Sequence, residues 1–490
     1  MLFVATEFAW FFLIILPIAW LARPHIGAWK LAMIGAGLFF YGWWRHNGPN
    51  GTASIWDRDN DWWWFHTIPA RFCIYLLIFA VVNWALAQLT ASMRETGDSR
   101  MVVIAAGVVD LGALFYFKYA GWLSGILNDH AGTNFGLSQI VLPIGVSFIS
   151  FQALGYVIDV HRGTQDPVSL SDFTSYLLFF PHIVAGPLVR VNEFVPQIHE
   201  PFDPRRVEVP RALLLIATGF VKKVIISSFL FKQIVEPVFA NPKAYGGVDS
   251  LFASYAYAAQ IFCDFSGYTD IAIGLALLLG IRFPQNFDSP YRSLSIQEFW
   301  RRWHMSLSRW LRDYLYIGLG GNRRGVARTY INLFLTMLIG GLWHGANTTF
   351  LIWGALHGGA LVAERYLVGR APFSMGPVGP VLRWLATFHI VCLGWIFFNA
   401  TNTGIAIDII GNIGGLLVFS SGPSSQFVTV GLLFAIAVVL AWQFIPARIG
   451  GQFTARFAML PAISQGIAVG MVMVFCYYFG SVAEFIYFQF

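Results

Sequence analysis

Two histidines have the type and setting to move a proton. GLWHGANTTF places His344 at the end of a largely apolar run that begins just after Arg328. WRRWHMSLSRW places His304 beside Trp303 in a segment rich in Trp and Arg. An imidazole titrates at about 6.5 when unperturbed, and burial favours the neutral ring that a general base needs. At 1.5 Å per residue, the 15 residues from Thr329 to Trp343 rise about 22 Å, which puts His344 deep in an apolar layer. Ionisable groups at that depth are costly and usually face a polar cavity. A histidine hydrogen-bonded between helices is the plainer alternative. His357, in WGALHGG, reads as a packing residue or one that orients a neighbour, since one base suffices. Gly341 and Gly345 would let a substrate or a second backbone come close.

Other polar groups lie near these. CDFSGYTDIAIG carries Asp264, Ser266, Tyr268 and Asp270, which with Asn347 are candidates to line a cavity. Two close carboxylates suggest a cation, but no third ligand follows at regular spacing, and Ser and Tyr can satisfy each carboxylate. An interhelical hydrogen-bond network is the simpler account. His182, in FFPHIVAGP, marks a helix break. There is no GxSxG elbow, HExxH or P-loop, and the histidines are too scattered to imply a metal.

Eight arginines fall between 292 and 328. Apolar residues recur at helical spacing through SIQEFWRRWHMSLSRWLRDYLY, so 295–316 reads as one amphipathic interfacial helix, with Ser295 and Glu298 as a capping box. Arg301, Arg302, Arg309 and Arg312, with Arg323 in the turn GLGGNRRG, either anchor that helix on lipid phosphates or meet an anionic partner such as a phosphopantetheine-bearing donor.

The elements that hold these groups are membrane spans. Of 490 residues, 57% are hydrophobic and 11% charged, against about 25% charged in a soluble domain. The expected fold is an all-α polytopic bundle forming one domain over 1–490, with about 11–12 spans. Spans are expected near 3–21, 28–44, 68–89, 101–120, 138–160, 211–230, 251–281, 381–400, 427–445 and 463–488. The 329–366 stretch makes two arms broken around Gly340, Gly341 and Gly345, and 172–190 is a re-entrant or broken helix. The first apolar run lacks a basic leader and a cleavage site, and reads as a retained span. The loops at 121–137 and 401–425 have no Lys or Arg, so positive-inside puts 282–328 in the cytoplasm and the N-terminus outside. On that orientation Trp62–Trp64, in the 45–66 loop, sit in the outer interfacial belt. The net charge of +6 comes from the arginine block and signals membrane lipids rather than nucleic acid. Cys73, Cys263, Cys392 and Cys476 lie in apolar runs as small hydrophobes.

WRRWHMSLSRWLRDYLYIGLGGNRRG followed by GLWHGANTTFLIWGALHG resembles the membrane-bound O-acyltransferases, the MBOAT family, in its bacterial alginate O-acetylase type. LPIGVSFISFQALGYVIDVHRG, FFPHIVAGPLVR, DFSGYTDIAIGLALLLGIRFPQNFDSPYRS and EFIYFQF resemble it too, and the signature core covers about 138–366. The resemblance implies a bundle around a central cavity where a cytoplasmic tunnel meets an outer funnel. It implies acyl transfer from a thioester to a hydroxyl, with His344 as the catalytic histidine of the WHG motif and His304 as the second signature histidine. It also implies an extracytoplasmic partner that finishes polysaccharide acetylation. Gly318 stands where many relatives have proline, which loosens that turn without touching the histidines.

The expected activity is therefore transfer of an acyl group, acetyl foremost, across the cell's inner membrane. The donor would be acetyl-CoA or an acyl carrier protein acting as co-substrate, with no tightly bound cofactor. The acceptor would be a polysaccharide or a partner protein. D-alanyl transfer to teichoic acids is the nearest alternative enzyme. A proton-coupled transporter of an acyl donor would use the same intramembrane His and Asp, although no inverted repeat is visible. A scaffold subunit docking a polysaccharide synthase would tolerate loss of both histidines.

Overall fold

The computed structural model describes residues 3–43, 68–133, 142–183, 186–368, 378–417, 425 and 427–480. Trp62–Trp64 and the EFIYFQF terminus lie outside them. Every regular element among the described residues is helical. Lipid offers no partner for backbone N–H and C=O groups, so an apolar chain that crosses it satisfies them within each segment.

In chain order the helices are α1 (Thr6–Ala22), α2 (Ile26–Gly42), α3 (Ile68–Ser92), α4 (Ser99–Lys118), α5 (Ala120–Ala131), α6 (Val146–Arg162), α7 (Leu170–Leu177), α8 (Phe180–Ile183) and α9 (Val191–His199). Next come α10 (Val209–Ala240), α11 (Gly247–Leu278), α12 (Ile296–Arg302), α13 (Met305–Trp310), α14 (Val326–His344), α15 (Thr348–Val368) and α16 (Gly379–Asn399). The last are α17 (Thr403–Leu417), α18 (Val430–Trp442), α19 (Ala447–Ala458) and α20 (Ala462–Phe479). Seven are long and apolar enough to cross a membrane, or eight if α18 and α19, bent by 95°, count as one span. The apolar helices α1, α2 and α17 are shorter. Leu21, Val108, Phe434 and Phe479 stand exposed, as lipid-facing residues do. The chain is an all-α polytopic membrane protein.

Four sequence expectations need correction. The segment 295–316 is broken at Trp303 and His304 rather than continuous. The stretches 121–137 and 401–425 are not plain loops, because α5 and α17 occupy much of them. The span expected over 211–230 runs on to Ala240, carried through π-turns at Val221–Ser227 and Phe231–Val235. The Ser295 cap forms, its Oγ accepting from Glu298 N–H at 3.0 Å, but Glu298 reaches Leu294 N–H instead of closing the box on Ser295.

The described chain packs as two compact units, 1–212 with 272–284, and 213–271 with 285–490. In the first, α7, α8 and α9 fold back on one another: Asp172 accepts from His199 Nε2 at 2.9 Å, and Tyr176 OH donates to Val189 O at 2.7 Å. A re-entrant segment needs this return. Basic side chains also meet carbonyls and carboxylates here. Arg23 donates to the carbonyls of Gln197 and Ile198, Lys30 pairs with Asp172 at 2.6 Å, and Arg282 with Glu208 at 3.0 Å. His182 is boxed by the rings of Tyr176, Phe179, Phe194 and Phe283.

In the second unit, α10 and α11 cross closely at Gly219 and Gly267, where an added Cβ would strike the facing backbone. Beside that crossing Lys223 Nζ lies 2.5 Å from Asp264 Oδ1, both side chains 1% exposed, and Lys222 lies 2.6 Å from Asp270. Ser227 Oγ adds a 3.0 Å bond to Asp264. Removing one partner of such a pair strands a buried charge, whereas replacing both by apolar groups costs far less. Lys223→Met is expected to destabilise the protein by about 3–5 kcal/mol, with much of that recovered in Lys223→Met/Asp264→Leu. Thermal unfolding of the purified variants measures it, and equal loss in the single and double variants would refute it.

Candidate active site

The site is built on the hairpin of α14 and α15. An added Cβ at Gly354 would lie 2.6 Å from the Met337 carbonyl oxygen, and one at Gly358 would lie 3.1 Å from Phe334 Cα. At Gly341 it would collide with the Phe350 carbonyl. The two backbones therefore touch, as small residues allow in lipid. The close approach expected at Gly341 is made by α15 itself. Beside Gly345 the space is filled by the Phe350 ring, not left for a substrate.

α14 stops at His344 because Gly345 is extended, at φ −165° and ψ 152°. Asn347 then begins α15: its Oδ1 accepts from Thr349 N–H at 3.1 Å, and its Nδ2 donates to Thr401 O at 2.8 Å. That makes Asn347 a capping residue of the turn. His344 is 5% exposed and walled by rings. Trp343 lies 5.0 Å away between centroids, Trp353 and Phe398 5.1 Å, and Phe350 6.5 Å.

His304 occupies the break between α12 and α13 in the left-handed region, at φ 43° and ψ 54°. A non-glycine residue pays of the order of 1–3 kcal/mol there, so the surroundings must enforce it. Asn286 does so. Its backbone carbonyl accepts Met305 N–H at 2.9 Å, and its Oδ1 accepts Ser306 N–H at 3.0 Å and Ser306 Oγ–H at 2.9 Å. His304 Nδ1 lies 3.3 Å from the same oxygen. An oxygen already accepting can only receive another proton, so Nδ1 carries the hydrogen and Nε2 is the basic nitrogen of the neutral ring. The ring packs edge-on against Phe265 at 4.7 Å and lies 6.4 Å from Trp343. Trp343 thus packs against both histidines singled out from sequence.

The arginines divide. Arg302 is committed to carboxylates, 2.6 Å from Asp288 and 3.0 Å from Glu298, so its work is to pin α12 to the preceding loop. Partial burial raises the Glu298 carboxyl, but the Leu294 N–H and the Arg302 guanidinium outweigh it and hold the group below its ordinary range. Arg312 pairs with Asp313 at 2.6 Å. Arg301 and Arg323 are exposed, and Arg309 is half-buried.

Of the cavity candidates, Asp264, Ser266 and Tyr268 are buried inside the helix packing, and Asp270 is half-buried. The carboxylates are met by Lys223 and Lys222, where Ser266 and Tyr268 had been expected to satisfy them. Sequence reading passed over both lysines because they sit in an otherwise apolar run. A Lys-Lys pair inside a span was itself the signal. Asn286 had no comparable mark.

The sequence profile described as MBOAT, membrane-bound O-acyltransferase family, matches residues 164–406, which contain both histidines. A probable alginate O-acetylase of Pseudomonas aeruginosa is 42% identical over 77% of this chain and 68% of its own length. A peptidoglycan O-acetyltransferase of Helicobacter pylori is 32% identical over 81% of this chain and 77% of its own. A teichoic acid D-alanyltransferase of Streptococcus thermophilus is 28% identical over 54% and 70%. With the buried histidine at the glycine-closed helical hairpin, these matches show that the chain belongs to the membrane-bound O-acyltransferase family and is a multi-pass membrane O-acyltransferase.

Proposed function

We propose that the chain moves an acetyl group from a cytoplasmic thioester to a hydroxyl of an extracytoplasmic polysaccharide, or of a partner protein that passes it on, in the cytoplasmic membrane. The observation that carries this is the setting of His344: a buried imidazole walled by aromatic rings at the end of a membrane helix, with Trp343 packed against both His344 and His304. The relatives acting on alginate and peptidoglycan support a polysaccharide acceptor. D-alanyl transfer remains the second reading, favoured by the teichoic acid relative.

In this mechanism His344 takes the proton of the acceptor hydroxyl while its oxygen bonds to the thioester carbonyl carbon. The tetrahedral intermediate collapses, the C–S bond breaks, and the imidazolium returns the proton to the departing thiolate. An ester and a free thiol result. His304 orients the donor or relays a proton. The exposed Arg301 and Arg323 are the first arginines to meet donor phosphates, and Arg309 and Arg312, the latter paired with Asp313, are further candidates.

His344→Ala should lower ester formation about 10²–10⁴-fold at matched protein level. The measurement is the mass-resolved ester content of surface polysaccharides in a deletion strain carrying each variant, which also tells acetyl from D-alanyl. Restoration of the ester by His344→Ala would sink the mechanism. His304→Ala should give a graded loss that shrinks as donor concentration rises, and a loss indifferent to donor would remove it from the donor side. Arg301→Ala/Arg323→Ala should raise the donor KM about tenfold or more with kcat little changed, as expected for lost charge-assisted bonds. An unchanged KM would send those arginines back to the lipid surface.

A further inference from the structure

His357 is 1% exposed, and its surroundings are specific. The Trp300 indole Nε1–H donates to its Nδ1 at 3.3 Å. An indole N–H only donates, so Nδ1 is the acceptor and the proton of the neutral ring sits on Nε2. That Nε2 has no hydrogen-bond partner among the described residues. It faces Gly394, where an added Cβ would lie 2.8 Å away. Burying an unmatched N–H costs stability. Packing alone would favour an apolar side chain of similar volume, so filling space does not account for an imidazole here.

The contacts of His357 run in two directions. Towards α15, Trp353 lies one turn away at 4.9 Å, and the same Trp353 ring forms a wall of His344 at 5.1 Å. Towards α12, Trp300 lies four residues before His304 and one turn of chain from it. α12 is also tied at its start, where Glu364 of α15 accepts Ile296 N–H at 2.7 Å. Glu364 and His357 thus hold the two ends of α12 against α15.

We propose that His357 is a positioning residue: through its bond from Trp300 and its contact with Trp353, it fixes the segment carrying His304 against the wall on which His344 lies. This rests on the acyl-transfer role proposed for those two histidines. Its action is geometric, and it touches neither donor nor acceptor.

The test compares His357→Leu, His357→Asn, Trp300→Phe and Trp300→Phe/His357→Leu in membranes supplied with acetyl-CoA and alginate, the polysaccharide named for the Pseudomonas aeruginosa relative. Asparagine keeps an acceptor near the Nδ1 position. Leucine removes the acceptor together with the unmatched N–H. A shift of about 1 Å at a reacting group costs about 100-fold in rate. His357→Leu and Trp300→Phe are each expected to lose about tenfold to a hundredfold in kcat, with melting temperatures close to wild type. His357→Asn should recover most of the rate, and the double variant should be no slower than the slower single. The proposal is overturned if His357→Asn is as slow as His357→Leu, if the single losses multiply in the double, or if either single runs at the wild-type rate. It is equally overturned if rate and melting temperature fall together in every variant, since that marks a structural role alone. Absence of transfer by the wild type would instead overturn the function on which the proposal stands.

Discussion

Lipid gives two apolar helices no hydrophobic reason to associate, so α14 and α15 must be held by close contact along their length. Gly341, Gly354 and Gly358 supply it by letting main chain meet main chain. That contact fixes where α14 ends, and the end of α14 is His344. A methyl group at any of the three would part the helices and carry the imidazole away from Trp353 and Phe398. The placement of His344 therefore depends on residues that have no side chain.

The polar groups of the second unit divide into those that hold helices together and those that face chemistry. Lys222, Lys223, Asp264 and Asp270 pair between α10 and α11. A buried ion pair is a weak source of stability, and its better attested use is to fix register. Here two consecutive lysines within the π-turn at Val221–Ser227 both reach carboxylates of one neighbouring helix. Arg302 and Asn286 work similarly around the break before α13.

Much of this was legible in the sequence. Long apolar runs gave the spans, because period and length survive without tertiary knowledge. His344 stood out because an ionisable group in an apolar run is expensive, and the split of 329–366 falls at Gly345, while Gly340 and Gly341, also expected at the break, lie inside α14. What could not be read depended on geometry between distant segments. The kink at His304 is imposed by Asn286, 18 residues earlier, while the local apolar spacing was that of an unbroken helix. Ser266 and Tyr268 lie nearer in sequence to the carboxylates than Lys223 does, yet the lysine, 41 residues from Asp264, is the partner. The helices α5 and α17 were hidden because the absence of Lys and Arg, used to find loops, says nothing about short helices that carry neither.

The rings around His344 carry a consequence for side reactions. Apart from the indole N–H groups of Trp343 and Trp353, the surfaces of Trp343, Phe350, Trp353 and Phe398 are apolar, and the imidazole against them is 5% exposed. A thioester is as open to hydrolysis as to attack by a sugar hydroxyl if water reaches the base first. Excluding water from a reactive centre suppresses such leakage. On the proposed chemistry, the aromatic wall keeps the activated acyl group from being wasted in the interval before an acceptor arrives, so that donor consumption stays coupled to ester formation.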